Sequence, residues 1–189
     1  MKLLQISLYL VLGLFLSSLQ ARLGQRGDSA QRPSLSLRLL GPASELGRSL
    51  QWIRFQRALL RGNQQRALAL AESAIALDPA ATDGWQLLAA HLGYFLASPE
   101  REHDLGRRRM WLQAALAVTR RGAQQADQPE ELHLQRGLML LSKLDLDPEV
   151  DPEGPAGLLA GAIEAFREAA RLGSAAAREL LVDLQADGP

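Results

Sequence analysis

Three histidines, His91, His103 and His133, are the first candidates for metal binding or acid–base catalysis. None of them lies three or four positions from another histidine, the spacing that places two imidazoles on one helix face to ligate a metal ion. Glu130 and His133 form one Glu-x-x-His motif, whereas a di-iron helix bundle needs two such motifs and two further glutamates. We therefore interpret Glu130 and His133 as a surface pair in the first turn of a helix, and we predict no metal site and no cofactor.

The acidic stretch at residues 145–155, DLDPEVDPEGP, carries the alternating carboxylates that are typical of calcium-binding loops. An EF-hand loop would require glycine in place of Val150 and glutamate in place of Ala156. The prolines and Gly154 instead predict a stiff acidic loop between two helices, with weak ion binding as the alternative.

The arginine run at 107–109 opens a predicted helix, where the helix dipole disfavours cations. We expect these arginines to pair with the acidic residues of the preceding loop, 100–104, and the alternative is an acidic partner or lipid headgroups. No Ser-His-Asp arrangement, glycine-rich phosphate loop or pair of carboxylates stands out. We therefore predict that the protein is not an enzyme.

Composition restricts the function further. The 189 residues carry no net charge, with a sequence pI of about 6.8, so there is no basic footprint for nucleic acid. Cysteine is absent, which excludes disulfides and thiolate metal sites. Arginine replaces lysine almost everywhere, which we attribute to a GC-rich bacterial genome.

The N-terminal segment is the most apolar part of the sequence. Residues 3–19, LLQISLYLVLGLFLSSL, carry no charge, and polar or cationic residues follow at 20–26. A helix of this length spans about 25 Å, against about 30 Å for the hydrocarbon core of a bilayer, and the run is long for a signal peptide. Because Leu19 occupies a position where cleavage needs a small residue, we predict an uncleaved transmembrane anchor over 1–21. A cleaved signal peptide and a buried soluble helix are the alternatives.

Residues 22–43 read as a flexible linker, because they mix Gly, Ser, Arg and Pro with little periodicity. The linker arginines favour a cytoplasmic C-terminal domain by the positive-inside rule, whereas the short start with Lys2 resembles an export signal. We predict a single-pass protein of the bacterial inner membrane, with the side of its soluble domain left open.

Helical periodicity begins at Ser44 and continues almost to the C-terminus, over a predicted domain of residues 44–189. Glycine or proline interrupts it at 62–63, 78–79 and 98–99. The pattern predicts an all-α domain of about seven helices, near 44–62, 64–77, 82–95, 106–121, 129–144, 157–172 and 174–185. Ser44 and Ser174 are expected to cap the first and the last of these helices.

Small residues mark the buried face of the second helix, with alanines spaced i, i+4 and i+7. Two helices approach to about 8 Å only where the contact positions are small. This stretch resembles the tetratricopeptide repeat (TPR), a helix pair of about 34 residues with small and bulky side chains at set positions and a proline after the second helix. The positions that carry the resemblance are Gly62, Ala67, Ala71, Ala74 and Pro79, followed by Trp85, Leu88 and Ala89 at the start of the next repeat.

The C-terminal region continues the resemblance with a small–bulky–small pattern at Ala162, Phe166 and Ala169. The alanine-rich helix after residues 171–173 is similar to the related Sel-one-like repeat. Extra residues near 98–106, 122–129 and 145–157 depart from a strict period. The resemblance implies a TPR-like superhelix of about three helix pairs and a C-terminal capping helix, and an ordinary helix bundle is the alternative.

Such an array leaves a concave surface, lined by the first helix of each pair, for a peptide or a partner helix. The TPR register places eight residues on it: Trp52, Gln56, Leu59, Gln86, Ala90, Leu134, Leu138 and Leu141. The lysines and asparagines with which some TPR proteins hold a C-terminal carboxylate are missing from these positions. Simple core packing is the alternative for Trp52, Leu134, Leu138 and Leu141.

The sequence thus predicts a membrane-tethered adaptor or scaffold that binds another protein. The alternative is a structural subunit of a membrane transport or export complex. A small-molecule pocket within the helical stack is disfavoured by the close alanine contacts.

Overall fold

The computed structural model describes residues 35–186, and the packing below belongs to the compact unit that begins at Leu40. Residues 35–186 contain helices and no strands, so the all-α prediction is confirmed for this part of the chain. The α-helices are α1 (Leu35–Leu60), α2 (Gln64–Leu77), α3 (Thr82–Ala90), α4 (Leu105–Ala123), α5 (Pro129–Leu146), α6 (Gly154–Arg171) and α7 (Ala175–Ala186). A π-helical segment, His91–Leu96, continues α3, and a 3-10 turn, Pro148–Val150, precedes α6.

The predicted membrane anchor, residues 1–21, lies outside the described residues, as does most of the predicted linker. Among the helices of residues 35–186, none combines the length and the apolar character needed to cross a bilayer.

Helix α1 begins earlier than the sequence pattern predicts. It starts at Leu35, so residues 35–43 are helical and Ser44 does not cap the helix. Leucine is a good helix former, and the run LSLRLL at 35–40 favours helix strongly enough to continue through Pro42, which lacks the N–H donor of an ordinary helical residue.

The ends of several helices follow from their residue types. Gly62 and Gly173 adopt the left-handed conformation after α1 and α6, with φ of +70° and +114°. Asn63 caps α2, since its Oδ1 accepts a hydrogen bond from Arg66 N at 3.1 Å. Ser174 caps α7 as predicted, through a 3.3 Å hydrogen bond from Ala177 N to its Oγ.

Small residues lie where the described helices approach one another. Ala67, Ala71 and Ala74 of α2 are completely buried, and so are Ala162 and Ala169 of α6. Each methyl group fills a contact without separating the two helix axes.

Trp85 and its neighbours anchor the start of α3. Its side chain is 1% exposed, and its Nε1 donates a 2.8 Å hydrogen bond to the carbonyl of Pro79 in the preceding turn. Leu88 and Ala89 are buried beside it in the same hydrophobic core.

Helices α3 and α5 run in the same direction, which positions the site. Three hydrogen bonds join the two helices or the segments at their ends: Gln128 N to Thr82 Oγ1, Gln135 Nε2 to Gln86 O, and Lys143 Nζ to Ala97 O. Residue numbers increase on both sides from one bond to the next, as they do between parallel helices. Contacts between the described elements otherwise join those that are adjacent or next but one along the chain. Helices α3 and α5 therefore contribute to a common face.

Candidate functional site

A groove of about 650 Å³ lies between α1, α3 and α5, and we call it the apolar groove. Its lining residues are Trp52 from α1, Asp83, Gln86, Leu87 and Ala90 from α3, and Glu131, Leu134, Gln135 and Leu138 from α5. Helix α1 contributes one residue, whereas the two parallel helices contribute most of the surface.

Five of the eight residues predicted for a groove are brought together here: Trp52, Gln86, Ala90, Leu134 and Leu138. The other three lie outside its lining. Leu59 and Leu141 are partly buried and pack against the hydrophobic core, while Gln56 is exposed.

The remaining lining residues, Asp83, Leu87, Glu131 and Gln135, were not predicted. Their spacing was nevertheless present in the sequence, because both helices line the groove at positions i, i+3, i+4 and i+7. In α3 this series starts at Asp83, and in α5 it starts at Glu131. Extending the predicted positions by this spacing along each helix would have found all four.

The groove is apolar along its length and acidic at one end. Leu87 and Leu138 are each about two-fifths exposed, at 42% and 41%, although both are large apolar side chains. Asp83 and Glu131 lie in the first turns of two parallel helices, so their carboxylates mark the same end of the groove.

The two carboxylates at this end have different surroundings. Asp83 Oδ1 accepts a 3.0 Å hydrogen bond from Arg48 Nη1 of α1, which neutralises much of its charge. Glu131 is exposed and forms no ion pair with another described residue. Glu131 is therefore the carboxylate that is free to attract a cation of a bound partner.

Gln135 fixes the floor of the apolar groove. Its Nε2 donates a 2.9 Å hydrogen bond to the carbonyl of Gln86, which holds α5 against α3. Its Oε1 is buried and accepts no hydrogen bond from a described residue. The groove thus combines apolar walls with a few oriented polar groups.

The arginines at 107–109 form contacts that stabilise the fold. Arg108 forms a bidentate ion pair with the buried Asp147, at 2.8 and 3.2 Å, and its third nitrogen donates to the carbonyls of Glu102 and His103. Arg109 donates to the carbonyls of residues 149 and 150. Of the three arginines, only Arg107 forms the expected ion pair with an acidic side chain of the preceding loop, at 3.7 Å from Glu102.

The acidic loop after α5 is organised by these contacts. Asp147 faces Arg108, and Asp151 Oδ1 accepts a hydrogen bond from Glu153 N at 2.8 Å. Among residues 35–186, no group of three or more histidine, aspartate or glutamate side chains is arranged to hold a metal ion. The carboxylates of Asp147 and Asp151 therefore help to hold this loop in its conformation.

The three histidines lie apart from the apolar groove. His91 is packed between aromatic rings, His103 is exposed in a loop, and His133 lies beside charged residues of α5 and α6. Burial lowers the pKa of both His91 and His133. Both rings are therefore held in the neutral form around pH 7.

Buried Lys143 also forms a contact that stabilises the fold. Its Nζ donates a 2.7 Å hydrogen bond to the carbonyl of Ala97, at the end of the π-helical segment. Burial lowers the pKa of Lys143, while the nearby carboxylate of Asp147 opposes this effect.

No protein-family model, no curated protein and no solved structure matches this chain.

Proposed function

We propose that this chain is a non-enzymatic, membrane-tethered adaptor whose TPR-like helix pairs bind a segment of another protein in the apolar groove. The observation that carries the proposal is the convergence of Trp52, Leu87, Leu134 and Leu138 on one open groove. Large apolar side chains left exposed beside one another are typical of a binding surface.

The repeat architecture is part of the proposal. Parallel α3 and α5, small residues at the helix contacts and packing between near neighbours along the chain all agree with stacked helix pairs. The tether is assigned from sequence alone, since residues 3–19 precede the described part of the chain.

The groove specifies the chemistry of the bound segment. Its walls on α3 extend from position 83 to position 90, which at 1.5 Å per residue is about 10 Å, or two turns of helix. We propose an amphipathic helix with apolar residues spaced i and i+4 and a lysine or arginine at the end that meets Glu131.

A second function, that of a structural subunit of a membrane complex, is favoured by one observation. Helix α1 exposes Leu46, Leu50, Ile53 and Leu60, the last to 88%. Three of these, Leu46, Ile53 and Leu60, recur every seven residues and fall on one side of the helix. A permanent subunit interface on α1 would cover them.

Site-specific photo-crosslinking in the protein's native cells distinguishes the two functions. A photoreactive phenylalanine analogue replaces Leu138 in the groove, Leu50 on α1, or Met110 on α4 as a control of similar exposure. We expect a protein adduct at position 138 and none at 110. Mass spectrometry of the adduct should identify an amphipathic segment with a basic residue.

Two variants make this test specific. Leu134→Asp places a charge on the groove wall and should abolish the adduct at position 138, whereas Arg54→Gln, an exposed change on α1, should preserve it. Adducts at position 50 without any at 138 would favour the subunit function. If neither position gave an adduct, both functions would be wrong.

A further inference from the structure

A second hollow, of about 560 Å³, lies between the C-terminal end of α4, α5 and the C-terminal half of α6. We call it the basic hollow. Its charged lining residues are Arg120, Arg136, Arg167, Arg171, Glu164 and Glu168, next to His133. Four guanidinium groups against two carboxylates leave an excess of two positive charges, although the whole chain is neutral.

The carboxylates of the basic hollow neutralise its arginines only in part. Glu168 is engaged by Arg171 through a pair of hydrogen bonds, one of them 2.9 Å long between Nε and Oε2. Glu164 lies 3.9 Å from Nη2 of Arg136, and its side chain is 74% exposed. Such a long, solvated ion pair contributes little.

Three arginines retain hydrogen-bonding capacity. Arg136 is mostly buried, and its Nε is buried without an acceptor among the described residues. Arg120 and Arg167 are exposed and have no acidic partner within residues 35–186. A buried, unpaired donor on a cation is unfavourable, so a ligand that supplies an acceptor there gains binding energy.

We propose that the basic hollow is a binding site for a phosphate group in its dianionic form. Arg120, Arg136 and Arg167 come from three different helices, α4, α5 and α6, and all three line the hollow. A terminal phosphate offers three oxygens in a tetrahedral arrangement, whereas a carboxylate offers two in one plane. The phosphate belongs either to a free phosphate ester or to the headgroup of an anionic lipid.

His133 lines the basic hollow, so its ring can report the binding of phosphate there. Burial lowers the pKa of its imidazole; Glu168 and Glu164 act against this, while Arg136 and Arg171 reinforce it. A dianion beside this ring raises the pKa of His133, because it stabilises the imidazolium. His91 and His103 provide internal references outside the basic hollow.

The test is an NMR titration of the full chain, which carries ¹³C-labelled histidine. The chain is dissolved in a phosphate-free buffer with a non-ionic maltoside detergent. Sodium phosphate is added at pH 7.5, against sodium chloride of equal ionic strength. We expect the His133 ring resonances to move saturably with phosphate while those of His91 and His103 stay in place. No movement, or equal movement with chloride, would overturn the proposal.

Variants that should weaken binding, tighten binding or leave binding unchanged make the test more specific. Arg136→Gln should weaken phosphate binding by about tenfold or more, since it removes a charge-assisted hydrogen bond. Glu164→Gln removes a competing carboxylate from a side chain that is largely solvated, and should tighten binding several-fold. Arg57→Gln, at an exposed position on α1, is the matched control and should leave binding unchanged.

Three further titrations fix the ligand class. Succinate that binds as tightly as phosphate would overturn the phosphate assignment. Binding by glycerol phosphate in solution assigns a free ester as the source. If binding instead requires phosphatidic acid in phosphatidylcholine vesicles, and Arg136→Gln reduces it relative to vesicles without phosphatidic acid, the source is a lipid headgroup.

Discussion

His91 is a histidine that the folded chain keeps neutral. Its ring stacks on Phe95 at a centroid distance of 5.2 Å and meets the edge of Phe55 at 5.7 Å. Its Nε2 is buried without a hydrogen-bond partner among the described residues. Burial therefore lowers the pKa of His91 below its ordinary value of 6.5.

This arrangement predicts a loss of stability in acid. As the pH falls below about 6.5, the unfolded chain binds a proton at His91 that the folded chain does not, so the free energy of unfolding decreases. The decrease stops once the pH is below the pKa of the folded state. In urea unfolding followed by circular dichroism, His91→Phe should reduce the difference in stability between pH 7.5 and pH 5.

Two substitutions serve as comparisons for this effect. His103→Gln, at an exposed loop position, is the comparison for replacing a histidine outside the core. His133→Gln should reduce the pH dependence of stability independently, because burial also lowers the pKa of His133. An unchanged pH dependence in His91→Phe would mean that His91 is solvated and protonates freely in the folded chain.

The contacts of single residues also show which interactions could not be predicted from this sequence. The run at 107–109 was expected to pair locally, but Arg108 binds Asp147, which lies 39 positions away. A pairing over that distance depends on how α4 and α5 pack, and no local pattern records it. Helix termini, by contrast, depend on adjacent residues, and Ser174 was identified as a cap from its neighbours alone.

Glycines determine how closely α4 approaches α3 and how closely α5 approaches α6. A Cβ atom at Gly137 of α5 would lie 2.6 Å from Cδ1 of Phe166 of α6, and one at Gly122 of α4 would lie 2.8 Å from Cγ of Trp85. Both aromatic rings are almost completely buried and cannot move aside. A bulky side chain on one helix therefore lies directly over a glycine of its neighbour.

Gly137→Ala should consequently destabilise the fold, even though alanine is the better helix former. We expect the free energy of unfolding to decrease by about 1–3 kcal/mol, the usual cost of overpacking a core. Gly47→Ala in α1 is the matched control, since the nearest atom, Leu77 Cδ1, is 3.4 Å away, and it should gain up to about 1 kcal/mol. Denaturant unfolding measures both.

A second substitution tests the cause. Phe166→Leu introduced together with Gly137→Ala should recover part of the lost stability, because the smaller side chain leaves room for the methyl group. If Gly137→Ala were as stable as the native chain, α5 and α6 would not approach as closely as described.

At the level of elements, the pattern of apolar residues predicted the helices better than their ends. Glycine and proline placed the turns at 62–63 and 78–79, but Pro42 was assigned to the linker although α1 continues through it. The π-helical segment was missed altogether. Its hydrogen bond from Ala97 N to Leu92 O skips one more residue than in an α-helix, and no residue type specifies this.

Periodicity explains why the groove could be predicted only in part. Helical spacing predicts which residues of α3 and α5 share a face, so Gln86 and Ala90, and Leu134 and Leu138, were placed together. It does not predict how far along α1 the groove extends. Trp52 lines the groove, whereas Leu59, further along α1, packs on the core and Gln56 is exposed.

From Leu40 onward, the two candidate sites use different sets of helices. The apolar groove is lined by α1, α3 and α5, and the basic hollow by α4, α5 and α6. Helix α5 contributes Leu134, Gln135 and Leu138 to the first, and His133 and Arg136 to the second. Two ligands bound at these sites would therefore both depend on the position of one helix.

Packing between near neighbours along the chain also predicts how the domain unfolds. When each helix contacts only the next one or two, stability is distributed along the array and one end can open before the other. Phe166→Leu should lower the local stability around α6 by about 1 kcal/mol, and Phe55→Leu should lower the local stability around α1 by a similar amount. Both phenylalanines are almost fully buried, at 0% and 2% exposure, so the two changes are matched.

Hydrogen exchange read by mass spectrometry on the full chain distinguishes the possibilities. In Phe166→Leu, the amides of α5, α6 and α7 should exchange faster, while those of α1 and α2 change much less. Phe55→Leu should produce the reverse pattern, with the largest acceleration in α1 and α2. A helix bundle that unfolds in one cooperative step would lose protection evenly from α1 to α7 in both variants, and that result would contradict an array of stacked helix pairs.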